Sequence, residues 1–136
     1  MSSDAAQVAQ FSNATRWIGL AKSAVPALFL AVDGVMKLFK PAVVVDTTVQ
    51  LGFPESGILP LGLVLLACTA LYVVPRTSVL GAILLTGYLG GAVATHVRVQ
   101  DGAFPMVFPV IIGALLWGGL VLRDPRLAAL LPLDAR

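Results

Sequence analysis

Apolar residues gather in four long blocks separated by short polar punctuation: Trp17–Phe39, Gly57–Val74, Ser78–Val97 and Phe104–Leu122. Within a block there is neither the one-sided spacing of a surface helix nor the alternation of a strand; LGLVLLACTALYVV (Leu61–Val74) is apolar on every side. A helix in water keeps one polar face, and a strand of a membrane barrel alternates apolar and polar residues over about ten positions. Crossing hydrocarbon takes about 20 apolar residues, with about 17 as the lower limit. The pattern predicts four transmembrane helices and an all-α fold class, an integral membrane four-helix bundle. The second block lies near the length limit and has to cross almost straight.

The segments between the blocks supply the expected boundaries. Residues 1–15 read as a polar tail, 16–127 as the membrane domain and 128–136 as a short C-terminal tail. Ser12 or Asn13 is placed to cap the first helix, Arg16 and Trp17 to sit at headgroup level, and Lys22 to snorkel. Pro26 falls inside that helix and removes one backbone donor. The longest connection, Ala42–Ser56, contains VVVDTTVQLGFP, too polar to span and expected to form a short interfacial helix or ordered loop. Ser56 is a candidate cap for the second span, and Thr77 or Ser78 for the third, after the break at Pro75. The third span carries Gly81, Ala82, Gly87, Gly90, Gly91, Ala92 and Ala94. Small residues let helix backbones approach closely in lipid, so this span is expected at the centre of the bundle, touched by two neighbours. In the fourth, Trp117 needs a partner for its indole N–H.

Composition agrees with the pattern. Of 136 residues 58% are hydrophobic and only 12% charged, about half the charged fraction of a soluble domain. The formal net charge of +2 accompanies no basic helix outside the apolar blocks, so nucleic acid is not an expected partner; the lipid bilayer is. The lone Cys68 forms no internal disulfide. With four spans, both termini share a side with the Pro75–Ser78 turn. That side carries Arg16, Arg76, Arg123, Arg126 and Arg136, which by the positive-inside rule puts both termini in the cytoplasm of a multi-pass cell (inner) membrane protein. The glycine content makes a homodimer a reasonable partner state.

Against this background a few groups stand out because hydrocarbon does not tolerate them. Asp33 and Lys37 lie four residues apart, so they share a helix face with the acid N-terminal, the favourable order. An unpaired charge at mid-membrane costs about 2.5–3.5 kcal/mol on insertion scales. Connectivity brings the end of span one and the end of span three to the same membrane surface, which places His96 and Arg98 at the depth of Asp33 and Lys37. Arg98 is expected to pair with Asp33. Tyr88 and Thr95, seven apart, extend the polar strip inward. Asp33, Lys37, Tyr88, Thr95, His96 and Arg98 are therefore the candidate ligand-binding residues. Two readings compete: a latch joining spans one and three, or a polar cavity that opens outward and binds a small molecule. One histidine and one cysteine make too small a donor set for zinc, so no metal is expected, and the residues specify no cofactor. No catalytic set is legible.

Three segments, FLAVDGVMKLFKP (Phe29–Pro41), LGLVLLACTALYVVPRTSVLGAILLTGYLGGAVATHVRV (Leu61–Val99) and LLWGGLVLRDPRL (Leu115–Leu127), resemble the DoxX-like membrane proteins. The resemblance covers nearly the whole chain after the N-terminal tail. It implies a compact four-helix membrane protein. Some relatives are linked to quinone or thiosulfate oxidation or to membrane redox homeostasis, others to assembly of membrane proteins. It therefore implies a quinone as a possible ligand and a membrane or redox protein as a possible partner. It carries over no catalytic residues, and no soluble redox domain accompanies the helices. The expected function is binding of a lipid-soluble or small polar ligand, with quinone-linked redox chemistry among the roles the resemblance implies. A scaffold for other membrane proteins is the alternative, and a small transporter ranks below both.

Overall fold

A computed structural model describes the backbone of residues 2–130, and side chains from residue 13 onward except Ala128. Six α-helices follow in order: α1 Ser2–Phe39, α2 Ala42–Gln50, α3 Ile58–Val73, α4 Ser78–Val99, α5 Ala103–Arg123 and α6 Pro125–Leu130. A 3-10 turn, Glu55–Gly57, leads into α3. No strand occurs among the described residues. Four segments are long and apolar enough to cross a bilayer: Asn13–Phe39, Glu55–Val73, Ser78–Val99 and Ala103–Arg123. These are the four expected spans, and the chain is an all-α bundle built on them.

The N-terminal boundary differs from expectation. Helix α1 begins at Ser2 rather than at Ser12–Asn13. The segment is rich in Ala and Gln, residues that favour helix, and no Gly or Pro interrupts it before Pro26. The C-terminal tail, residues 131–136, lies outside the described residues.

The spans pack as a closed ring in the order α1, α3, α4, α5, back to α1, so α1 and α4 stand across its diagonal. Helix α4 has the two neighbours expected of it, α3 and α5, but every span has two, and α4 is not the centre of the ring. The glycines show why. On α4, Gly87, Gly90 and Gly91 have open space where a side chain would project. Gly81 alone on that helix is wedged against backbone, at Leu71–Tyr72 of α3. The other close approaches belong to α1. Gly19 meets the Gly119 carbonyl of α5 at 2.9 Å from an added Cβ, and Gly34 faces Gly62 of α3. Small residues allow backbone contact; which of them meet a neighbour depends on helix rotation.

At the end of the bundle opposite α2, one tyrosine joins three helices. The buried Tyr72 hydroxyl of α3 donates to the Leu116 carbonyl of α5 at 2.6 Å and accepts from Ser23 Oγ of α1 at 2.8 Å. Neither water nor lipid tail can replace such partners in hydrocarbon. The Arg123 guanidinium lies 5.8 Å from the centre of the same ring. Around this knot the core comprises Ala27, Leu30, Leu65, Ala82, Leu85, Leu116 and Leu120 with their neighbours.

The expected caps act in reverse. Thr77 Oγ1 donates to the Leu71 carbonyl at 2.7 Å, and Ser78 Oγ to that of Tyr72 at 2.7 Å. Neither Gly57 nor Thr77, at the N-caps of α3 and α4, uses a side chain as cap, so Ser56 does not cap α3. The last carbonyls of a helix have no intrahelical donor, and a turn this tight sets the two hydroxyls beneath those of α3. Trp117 finds its partner in Thr86 Oγ1, 2.7 Å away.

Candidate functional site

At the end of the bundle where α1 meets α2, the diagonal between α1 and α4 is not filled. A cavity of about 460 Å³ lies there, roofed by α2 and walled by α1, α4 and α5. Each wall comes from a helical stripe. Leu30, Asp33 and Lys37 follow at i, i+3 and i+7 on α1; Tyr88, Ala92, Thr95 and His96 lie on one face of α4; Phe108 and Ile112 come from α5. The roof uses Val44, Thr47, Thr48 and Leu51 of α2, together with Phe53 after it. Phe29 and Phe108 meet edge-to-face, 5.1 Å between ring centres, and complete the wall.

The cavity is graded. Its deeper residues, Leu30, Leu89 and Ile112, are apolar, whereas Lys37, Thr47, Thr48, Thr95 and His96 gather near the helix ends. Asp33 stands about six residues before the end of α1, some 9 Å below it at a rise of about 1.5 Å per residue. The Lys37 ammonium donates to Asp33 Oδ2 at 2.6 Å, with the lysine side chain 14% exposed and the aspartate 37%. Gly34 and Gly62 hold this pair in place: a Cβ on Gly62 would stand 2.8 Å from Lys37 Cβ. The close α1–α3 crossing therefore fixes the turn that carries both charges.

Five of the six residues singled out in the sequence, Asp33, Lys37, Tyr88, Thr95 and His96, line the cavity. Arg98 does not, and the expected Arg98–Asp33 pair is absent. Its guanidinium Nη2 donates instead to the Leu51 carbonyl at the end of α2, at 2.7 Å. The reason is local. Lys37 lies one helical turn from Asp33 and satisfies it within α1, while α1 and α4 are held apart by the ring packing. Gly52 has a backbone reason to be glycine, its φ of +91°; an added Cβ would meet only the flexible guanidinium end of Arg98. Thr95 Oγ1 donates within its own helix to the Gly91 carbonyl at 2.8 Å.

His96 meets a residue that sequence reasoning passed over. Its Nδ1 lies 2.7 Å from Asp101 Oδ2. Helix α4 stops at Gln100, whose φ of +53° turns the chain back while its N–H still bonds the His96 carbonyl. That reversal brings Asp101 beneath the imidazole. The signal was an acid five residues after a histidine at a helix end, a spacing that means nothing until the left-handed residue is known. The α2 threonines and the phenylalanines were equally illegible, because they reach the site only through the ring and its roof.

The groups assembled here suit binding of an amphipathic molecule. Charge and hydroxyls sit at one end and aromatic and aliphatic walls at the other, within the about 300–1,000 Å³ typical of small-molecule pockets. No cluster of three or more potential metal ligands occurs among the described residues.

No curated protein and no solved structure matches the chain. A family model described as DoxX-like matches residues 21–119, from just after the start of the first span to the closing turns of the last. That interval contains α2 and α4, both cavity-facing stripes of α1 and α5, and Asp101. With four apolar spans and a family match over most of its length, the chain belongs to the DoxX-like family.

Proposed function

We propose that this protein binds a lipid-soluble molecule with a polar head, of the quinone class, in the cavity between α1 and α4. The observation that carries the reading is the cavity itself: a bundle that served only as a scaffold would have closed its diagonal around the Asp33–Lys37 pair. Lys37 retains donors beyond the one given to Asp33 and orients an acceptor on the head. Tyr88, Thr95 and His96 add hydrogen-bonding groups, and Phe29 and Phe108 offer ring edges and faces. Arg98 acts from outside, holding the end of α2. The ligand enters from the bilayer with its tail towards Leu30 and Ile112. In this reading both termini face the cytoplasm and the cavity faces the outer leaflet.

Native mass spectrometry of protein extracted from its membrane, together with titration of a short-tailed quinone, tests the proposal. Bound small molecule and a Kd about tenfold weaker in Lys37→Met support it, the loss being that of one charge-assisted contact. Absence of any bound molecule, with titrations that Lys37→Met leaves unaltered, would remove it in favour of the scaffold.

A further inference from the structure

The structure assigns Asp101 a positioning role: it fixes the His96 imidazole so that Nδ1 carries the proton and Nε2 presents a lone pair to the cavity, an acceptor for a ligand whose head bears a hydroxyl group. The inference deepens the binding reading above and rests on it for the ligand, though not for the state of the ring.

A neutral imidazole has one donor and one acceptor nitrogen, and the hydrogen bond at one nitrogen decides the other. A carboxylate is acceptor-only when ionised. With Nδ1 at 2.7 Å from Asp101 Oδ2, the proton belongs on Nδ1. His96 also lines the cavity, and Nε2 is the nitrogen left for an occupant. The geometry is built by backbone: Gln100 at φ +53° and Gly102 at φ +119° bracket Asp101 and turn it back toward the end of α4. The other charged groups of the cavity wall are Asp33 and Lys37, already paired with each other at 2.6 Å. Arg98, two residues along α4, is engaged by Leu51. His96 Nε2 thus complements the Lys37 ammonium. One accepts and the other donates, so within the quinone class the site selects the reduced or hydroxylated head, which carries both a hydroxyl and an acceptor oxygen, over the plain dione. A methyl ether in place of the hydroxyl leaves Nε2 facing an apolar group and forfeits that hydrogen bond.

The chain has a single histidine, so its imidazole nitrogens can be followed by nitrogen NMR without assignment. In full-length protein labelled at histidine, in lipid nanodiscs and with the ring neutral, the Nδ1-protonated form should dominate. Asp101→Ala should shift the population toward the Nε2-protonated form that an unconstrained neutral histidine side chain prefers. A wild-type ring protonated at Nε2, or an Asp101→Ala spectrum identical to wild type, overturns the assignment. For the ligand, 4-hexylphenol and 4-hexylanisole serve as matched probes. The phenol should move the Nε2 resonance and bind about tenfold more tightly than the ether, a preference lost in both His96→Gln and Asp101→Ala. Equal binding of the two probes, with Nε2 unmoved, overturns the acceptor role while leaving the cavity reading intact. If neither probe binds, the ligand part of the inference falls together with that reading, and the tautomer result decides the role of Asp101 alone.

Discussion

Single residues show how lipid sets the value of a contact. Lys37 and Asp33 would form a minor pair on a water-facing helix, about 0.3–0.5 kcal/mol. Here the lysine side chain is 14% exposed, and removing the acid leaves a largely buried ammonium without its carboxylate. Asp33→Asn is expected to lower stability by about 2 kcal/mol, less than a fully buried charge costs because the lysine stem can bend toward the surface. The double substitution Asp33→Asn with Lys37→Met should recover part of that loss. Denaturant titration of the variants in detergent micelles measures both. Tyr72 is the other decisive residue, because its hydroxyl serves α1 and α5 at once. Tyr72→Phe keeps the ring and strips the hydroxyl, leaving Ser23 Oγ and the Leu116 carbonyl without that partner. Since the carbonyl retains helical alternatives, the expected loss is about 1–2 kcal/mol, read in the same titrations.

At the scale of elements, identical residue types part company according to what faces them. A Cβ on Gly119 would collide with Ser23 Oγ and stand 2.7 Å from the Ser23 backbone nitrogen, so Gly119→Ala must separate α1 from α5. Its expected cost is about 1–3 kcal/mol. Gly90→Ala projects into open space, removes the flexibility of a mid-helix glycine, and should be neutral or stabilising by up to about 1 kcal/mol. Thermal unfolding of the two variants side by side distinguishes packing glycines from free ones. Helix α2 is an element of another kind, a roof joined to the bundle through short connections that begin at Lys40, with φ +50°, and end at Gly52, with φ +91°. Arg98 Nη2 on the Leu51 carbonyl is its hydrogen bond to α4. Arg98→Leu is therefore expected to speed amide exchange across Ala42–Gln50 several-fold while leaving α3 and α5 protected. Hydrogen exchange with mass spectrometric readout checks this, and uniform protection would show that the roof is held elsewhere.

At the scale of the molecule, much was legible before any fold was known. Block length and apolarity fixed the number of spans, because hydrocarbon dictates how many residues a crossing takes and forbids unpaired backbone groups. Connectivity alone put Asp33, Lys37, His96 and Arg98 at one end of the bundle, since consecutive spans reverse direction. The helical period put Asp33 with Lys37. What one-dimensional pattern could not supply was rotation about each helix axis and the order of helices around the ring. Every side of LGLVLLACTALYVV is apolar, so no stripe tells a reader which neighbour it meets. For that reason the glycines of α4 were read as contacts when only Gly81 makes a backbone one, and Arg98 was matched to Asp33 when the diagonal keeps them apart. The orientation reading belongs to this scale too. Reporter fusions at the two termini should both report a cytoplasmic location, and a periplasmic signal from either would invert the assignment of the cavity to the outer leaflet.

The sequence by itself determined the solvent and the four crossings, because those depend on transfer free energies summed along a chain, and with them the end of the bundle at which each charge falls. Tertiary structure alone decided that α1 and α4 stand opposite each other with a cavity between them, that α2 covers it, and that Asp101 turns back onto His96. Those outcomes depend on which small residues interlock and on two backbone torsions at the end of α4, and neither has a signature in composition or period.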